Sequence, residues 1–541
     1  MKNNTAQKKT AARRAAAPSL AGKLATVRRR FTINARTADV AAYAVSFALL
    51  YLLTGWIYGD VLVCTEQYSY VSTDSATMQY VATQPFGWLW WTGRWVLLCC
   101  RWAVLGGAVL AAVFTLTAWL FDRALGLRGR WAGTGIIVPL LVFGWIAFRG
   151  VNIFYRNEPS LLMVVPFGVL VAAALLYIVS RFARRKNKEE TDSATRVRPY
   201  GLLLAVVLGT GACAATRMLN ENTILTARFK NLAECQEWET IIDDTRAARR
   251  PSRAVAAYYA VALEQTGQLL SGLYDIPLDF PKLRLDKRWG SEEYGIFTAD
   301  CNYYAGLTNG GYRCAMDNLV MGGPALCHFK RLAACALAGG ESQLCRKYLD
   351  IIAQNPFEGA FVRRYEALLA APKKLGEDAE FSHVLALQPK DSLFEQNYQQ
   401  PLFLGYNVGL RSGTDASLAT AAAACLYSKD LQRFAMLASI MQSKGMPITT
   451  HMQQAIAILA LSEPEALKAF PSVGRFVPDE VRAFLIDAKP YVGEAKRLEL
   501  RAKTKKQWLG TYMYYYYTEN NDPDRIIKRD DEGGHSSAGV N

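Results

Sequence analysis

The sequence has few histidines and lacks the residue patterns that mark common catalytic or metal-binding centres. No histidine has a partner at metal-ligand spacing, and the H-E-x-x-H and C-x-x-C patterns are absent. The G-x-x-x-x-G-K-[ST] phosphate loop and the G-x-S-x-G nucleophile elbow are absent as well. We therefore predict no catalytic, cofactor-binding or metal-binding residues and no cofactor, which favours a protein that is not an enzyme. The histidines are His328, His383, His451 and His535.

Negative charge is scarce in the first part of the chain and balanced in the rest. Up to Arg217 there are 25 Lys and Arg against 9 Asp and Glu, and beyond it 37 against 38. The net charge of +15 therefore belongs entirely to the first part. There the cations lie in the N-terminal tail and between apolar stretches, whereas a nucleic-acid-binding domain needs a basic face on a folded unit. We predict no nucleic-acid partner.

Five apolar stretches are long enough to cross a bilayer as helices, so the lipid bilayer is the first predicted partner. We assign residues 1–38 to a basic tail and residues 39–218 to a membrane domain of five helices. The stretches run from Asp39 to Tyr58, Trp95 to Phe121, Trp131 to Phe148, Ser160 to Ser180 and Tyr200 to Ala215.

The loop charges predict the orientation of these helices. Cations concentrate in the tail, between residues 123 and 130, and between residues 181 and 198, and such segments stay in the cytoplasm. Five crossings then place the chain after Leu219 outside the cytoplasm, which gives a multi-pass protein of the bacterial inner membrane. We expect Trp88 to Trp91 to form an interfacial aromatic belt, and Arg101, near the outer end of the second stretch, to snorkel to the interface.

After Leu219 the apolar residues recur with a helical period, and few segments read as strands. Four small-residue-rich segments each end in a turn and precede an amphipathic helix, which is the pattern of α-hairpin repeats. Residues 219–519 are thus predicted to form a tetratricopeptide-like domain, with an irregular helical domain as the alternative, and residues 520–541 a disordered tail. The fold class is all-α. The four segments are 258–267, 303–311, 332–340 and 422–430.

This layout resembles a family of uncharacterised bacterial envelope proteins with five N-terminal transmembrane helices and a tetratricopeptide-like C-terminal domain. The stretches that carry the resemblance are Tyr259 to Gln268, Leu402 to Tyr406 and Thr511 to Tyr517. The family has no assigned activity, so the resemblance implies architecture alone.

For function, we expect a membrane-anchored scaffold or adaptor that binds a protein, peptide or glycan partner through its exported domain. Candidate partner-binding residues are Tyr258, Tyr259, Tyr303 and Tyr304, with packing between hairpins as the other role for them. The alternative function is a membrane-embedded lipid-linked sugar transferase that uses acidic residues of the first outer loop. Those acids are Asp60, Glu66 and Asp74.

Two cysteines are placed symmetrically about a predicted turn. Cys335 and Cys345 lie five residues on either side of Gly340, where the residues of an antiparallel helix pair face each other. In an oxidising compartment the pair is a candidate for a disulfide, although the odd number of cysteines in the domain favours unpaired thiols. The alternative is that both are small core residues that pack as alanine does.

Overall fold

The computed structural model describes residues 33–74, 76, 78–149, 158–184, 196–280, 292–388, 415–491 and 493–519. Within these ranges the helices are joined by turns and loops, and the one β element is a two-residue antiparallel ladder, β1 (Ile33–Asn34) with β2 (Arg196–Val197). The predicted all-α fold is confirmed. Four predicted features lie outside the described residues: most of the basic tail, the Leu402 to Tyr406 stretch, His535 and the tail after residue 519.

Five helical segments of the described chain are long and apolar enough to cross a membrane, as the sequence predicts. They are Ala35–Ile57, Ala103–Leu125, Gly129–Phe148, Leu161–Ala183 and Tyr200–Leu219. The second segment begins eight residues later than predicted, because a 3-10 turn at Leu98–Arg101 and an extended Trp102 interrupt the apolar stretch. Arg101 consequently precedes the candidate span and does not lie inside it, while its position at the interface stays a prediction.

The chain divides into two compact units that do not follow the linear boundary near residue 218. The first unit comprises residues 1–57, 104–148 and 165–217, and the second comprises 58–103, 149–164 and 218–541. The segments between the first and second spans and between the third and fourth spans thus belong to the same unit as the C-terminal helices.

The first unit contains α1 (Ala35–Tyr51), extended by a π-helical turn to Ile57, with α5 (Ala103–Leu125), α6 (Ile137–Arg149), most of α7 (Leu161–Arg184) and α8 (Tyr200–Leu219). Close approach between α1 and α5 depends on glycine. Thr54 donates to the carbonyl of Gly107 at 2.9 Å, and a Cβ at Gly107 would overlap the backbone of Gly55. Small residues allow this kind of contact between membrane helices.

The second unit begins with three short helices, α2 (Gly59–Gln67), α3 (Gln79–Ala82) and α4 (Gly87–Leu97). The C-terminal helices follow in hairpin order and share one apolar core built from their alanine, leucine and tyrosine side chains. They are α9 (Glu221–Glu234), α10 (Trp238–Ala247), α11 (Arg253–Gln265), α12 (Leu269–Gly272), α13 (Glu292–Tyr304), α14 (Thr308–Gly322), α15 (Leu326–Ala338), α16 (Ser342–Ala353), α17 (Gly359–Ala370), α18 (Phe381–Leu387), α19 (Asp415–Tyr427), α20 (Leu431–Ser443), α21 (Thr450–Leu459), α22 (Glu465–Ala469), α23 (Val477–Ala488), α24 (Arg497–Trp508) and α25 (Tyr512–Thr518).

The four predicted segments end in the same local turn. In each, the second residue after the helix has a positive φ, and the amide of the next residue donates to a carbonyl five residues earlier. This is the hydrogen-bond pattern of the Schellman motif, and glycine favours its left-handed position. The positive-φ residues are Gly267, Gly306, Gly340 and Lys429. The turns support hairpins, while a tetratricopeptide-like array stays a prediction.

Candidate functional site

The four tyrosines expected to bind a partner are buried in the core of the second unit. Their hydroxyls donate inside the protein, to the side chains of Asp300 and Glu380 and to the carbonyls of Gly272 and Ala233. This burial favours the packing role over partner binding, and the partner-binding role stays a prediction. They pack between helices, because each hydroxyl finds an internal acceptor that makes burial of the ring favourable.

Three charged side chains in the same core form what we call the Asp300 cluster: Lys230 on α9, Asp300 on α13 and Arg331 on α15. Lys230 pairs with one carboxylate oxygen of Asp300, and Nε of Arg331 lies 2.9 Å from the other. All three are buried. Burial opposes ionisation of Asp300, but the two cations outweigh it and hold its pKa well below its usual range. The cluster links three helices. Because it is closed to solvent, we interpret it as a structural feature of the core.

A second group of charges, which we call the Arg101 cluster, is partly open. It comprises Glu66, Arg101, Lys330 and Glu358. Arg101 forms an ion pair with Glu358, and Nζ of Lys330 lies 2.9 Å from the other oxygen of the same carboxylate. Glu358 is buried, whereas both cations reach solvent. Lys330 and Arg331 are neighbours on α15, so this helix supplies a cation to each cluster.

Glu66 is the second buried acid of the Arg101 cluster. Its carboxylate accepts from Nε2 of Gln67 at 2.9 Å. Burial raises the pKa of Glu66 to about 7, although Arg101 and Lys330 oppose the shift. A carboxyl group with this pKa exchanges a proton near neutral pH, which is the property that general acids and bases require.

Two exposed aromatic rings border the Arg101 cluster. Trp102 is 50% exposed and Phe357 is 59% exposed, with their ring centroids 5.5 Å apart and edge to face. The Arg101 guanidinium lies 5.8 Å from the Phe357 ring and donates to the Phe357 carbonyl at 3.3 Å. Phe357 has a φ of 72°, which is a strained conformation for a bulky side chain. We call Arg101, Trp102 and Phe357 the aromatic–cation surface.

The three acids of the predicted transferase site do not converge. Asp60 lies in the first turn of α2 near Arg228, and burial raises its pKa. Asp74 is exposed and accepts from the amide of Ala76. Glu66 instead lies near Glu358, a residue 292 positions further along the chain.

The histidines of the described chain are buried or partly buried. His328 is buried against the Tyr68 ring, and burial, aided by Lys230, lowers its pKa to about 3. A ring nitrogen of His451 lies 2.9 Å from the Gly510 carbonyl oxygen, and burial lowers its pKa as well as that of His383. Within the described ranges, no group of three or more His, Cys, Asp or Glu residues is placed to hold a metal ion.

Cys335 and Cys345 are free thiols and both are buried. Burial raises the pKa of Cys335 to about 12 and that of Cys345 to about 11. The charges of Arg331 and Asp300 also act on the Cys335 thiol, in opposite directions. The predicted disulfide is absent from this structure, and the two cysteines pack as small core residues.

Residues 134–519 match a family of unknown function, DUF6057. The chain belongs to this family. No curated protein matches it, and no solved structure matches it. Lys330, Phe357 and Glu358 fall within the stretch that matches DUF6057, whereas Glu66, Arg101 and Trp102 precede it.

Sequence reasoning missed the aromatic–cation surface of this DUF6057 chain. Phe357 and Glu358 carry no motif, and Arg101 and Trp102 are hidden in an apolar stretch. The sequence did carry one signal: a charged residue, Arg101, interrupts the apolar stretch. A charge in such a position is a functional candidate.

Proposed function

We propose that this protein is a membrane-anchored scaffold or adaptor whose helical domain, outside the cytoplasm, binds a protein, peptide or glycan partner. In this proposal the N-terminal tail is cytoplasmic and the host membrane is the bacterial inner membrane. The basic loops and the five candidate spans support that arrangement.

The observation that carries the proposal is the aromatic–cation surface. Exposing two large rings is unfavourable, and holding Phe357 in a left-handed conformation costs about 1–3 kcal/mol more. Neither feature stabilises the fold, so we interpret both as consequences of a binding function of this surface. Tryptophan and arginine are also the residue types that contribute most to binding at interfaces.

The surface offers complementary chemistry to such a partner. The two rings provide flat apolar contact, while Arg101 and Lys330 provide donors beside the buried Glu358 carboxylate. Because Glu358 already pairs with both cations, the side chains are held in place before a partner arrives. Such preorganisation reduces the entropic cost of binding.

Site-specific photo-crosslinking in living cells tests this proposal. A benzophenone amino acid at position 357 should give a discrete adduct, and the same residue at position 476 should not. Phe476 is the matched control because it is a phenylalanine of the same unit and is 85% exposed. Trp102→Ala should abolish the adduct at position 357. Equal labelling at both positions, or none at position 357, would contradict the proposal.

The second candidate function, a lipid-linked sugar transferase, is favoured by one observation: the raised pKa of Glu66 beside Glu358. Glu66→Gln preserves the size of the side chain and removes its proton exchange. Loss of labelled-sugar incorporation in membranes with this variant, with the crosslink at position 357 intact, would support the transferase. Unchanged incorporation would leave the binding function.

A further inference from the structure

Helix α4 (Gly87–Leu97) has two chemically different faces. One face carries Gly93, Arg94 and Leu97, which are buried in the second unit. The other carries Trp88, which is 69% exposed, and Trp91, which is 39% exposed. The intervening Trp90 points inward and donates to the Pro85 carbonyl at 2.7 Å. In the segment expected to form an interfacial aromatic belt, one tryptophan therefore packs against the core and two lie on the surface.

The buried face of α4 is anchored by a fully paired arginine. Arg94 forms a bidentate ion pair with Glu158, with contacts of 2.6 and 2.8 Å, and also donates to the carbonyls of Tyr70 and Pro324. This geometry is strong and directional. The outward orientation of Trp88 and Trp91 follows from it.

The anchoring also fixes α4 beside the outer end of a candidate span. A Cβ at Gly93 would come within 2.6 Å of Val164 and 2.9 Å of Ser160, so α4 packs directly on the first turn of α7. In the other direction, the second candidate span begins at Ala103, six positions after Leu97. Six residue steps reach at most about 20 Å.

The exposed face has the composition of the membrane–water interface. Between Gln79 and Cys100 the one charged residue is Arg94, which is buried, and the residue that precedes α4, Phe86, is itself 68% exposed. An eleven-residue helix is about 16 Å long, too short to cross a hydrocarbon core of about 30 Å. Tryptophan is enriched at the headgroup level because its ring is apolar and its N–H is polar.

We propose that α4 lies in the plane of the membrane–water interface and that the face carrying Trp88 and Trp91 contacts phospholipid. The occupant of this face is the bilayer in which the neighbouring spans end. A lipid contact suits this uncharged face, whereas the aromatic–cation surface is lined with charges. The two assignments are independent, and either stands if the other fails.

Lipid crosslinking tests the assignment in the full-length protein reconstituted into phosphatidylcholine vesicles. A benzophenone amino acid is introduced in turn at positions 88, 91 and 476. We expect a phosphatidylcholine adduct by mass spectrometry at positions 88 and 91 but not at 476. A protein adduct at position 88 or 91, or lipid labelling no higher than at position 476, would overturn the proposal.

Quenching by brominated phosphatidylcholine measures depth. The Trp88→Phe, Trp91→Phe double variant should lose quenchable fluorescence relative to the unmodified protein, and more so with bromine near the headgroup than near the acyl terminus. The control is Trp238→Phe, since Trp238 packs on the Tyr304 ring in the helical domain. Equal losses for the double variant and the control would overturn the interfacial position.

Discussion

The pKa values of buried carboxyl groups in the second unit differ because the groups have different partners. Asp300 has two cations and stays ionised, whereas Glu264 has a hydroxyl partner, Thr420, and burial raises its pKa to about 7. Burial likewise raises the pKa of Glu519 to about 8, although Arg501 opposes the shift. Desolvation acts on all three, so the outcome depends on how strongly cations offset it. Two cations contact Asp300 directly, whereas Arg501 lies 3.6 Å from Glu519 and does not outweigh its burial.

Asp300→Asn should destabilise the protein strongly. The change keeps the shape of the side chain but leaves the charges of Lys230 and Arg331 buried without a counterion, which costs about 3–5 kcal/mol. Thermal denaturation of the detergent-solubilised full-length protein measures the effect. As a control, Glu465→Gln removes a pair with Lys468 that is more than 70% exposed, and should cost less than about 1 kcal/mol. Similar losses for both variants would show that the Asp300 cluster is not a structural link.

Glu264 should make stability fall as pH rises from about 5 to 7. Its folded-state pKa of about 7 exceeds the ordinary value of 4.5, so the folded protein binds the proton more tightly than the unfolded chain in this interval. At about 1.4 kcal/mol per pKa unit, the upper limit of the loss is about 3 kcal/mol. Glu264→Gln should therefore reduce the fall in melting temperature between pH 5 and pH 8. An unchanged fall would contradict the protonation of this residue.

At the scale of helices, glycine allows the close contact between the first and second candidate spans. Gly107 on α5 faces Gly55 at the end of α1, and the Thr54 hydroxyl bonds across the contact. Gly144 on α6 and Gly168 on α7 have open space around them. These glycines are alike in the sequence, and the difference arises from the neighbouring helix.

Gly107→Leu should separate α1 from α5 and lower the melting temperature and the yield of monodisperse protein. The new side chain would overlap the Gly55 backbone, and overpacking of this kind costs about 1–3 kcal/mol or more. Gly144→Leu is the matched control and should leave both quantities nearly unchanged. Size-exclusion chromatography and thermal denaturation in detergent distinguish the two, and equal behaviour would contradict the close contact.

At the scale of the whole molecule, the order of spans and basic loops predicts sidedness. Reporter fusions that are active only outside the cytoplasm should work after Thr73 and after Ser443, and should fail after Leu127. The reason is that positively charged loops stay in the cytoplasm, and this loop carries Arg123, Arg128 and Arg130. Activity after Leu127 would contradict the five-span arrangement.

The sequence alone determined the features that depend on local pattern. Apolar length predicts the five candidate spans, and small residues followed by Gly267, Gly306 or Gly340 predict helices that end in left-handed turns. Both follow from interactions within about one helical turn or from solvation of a continuous stretch. No partner from a distant part of the chain is needed to recognise them.

Only the tertiary structure decided which residues bind one another and which face solvent. Arg94 pairs with Glu158 and Arg101 with Glu358, across 64 and 257 positions, and these contacts draw residues 58–103 into the second unit. The tyrosine pair Tyr303 and Tyr304 is buried because Glu380 and the Ala233 carbonyl accept its hydroxyls. Such pairings depend on how helices pack. The periodicity of apolar residues along the sequence does not indicate which helix is the partner.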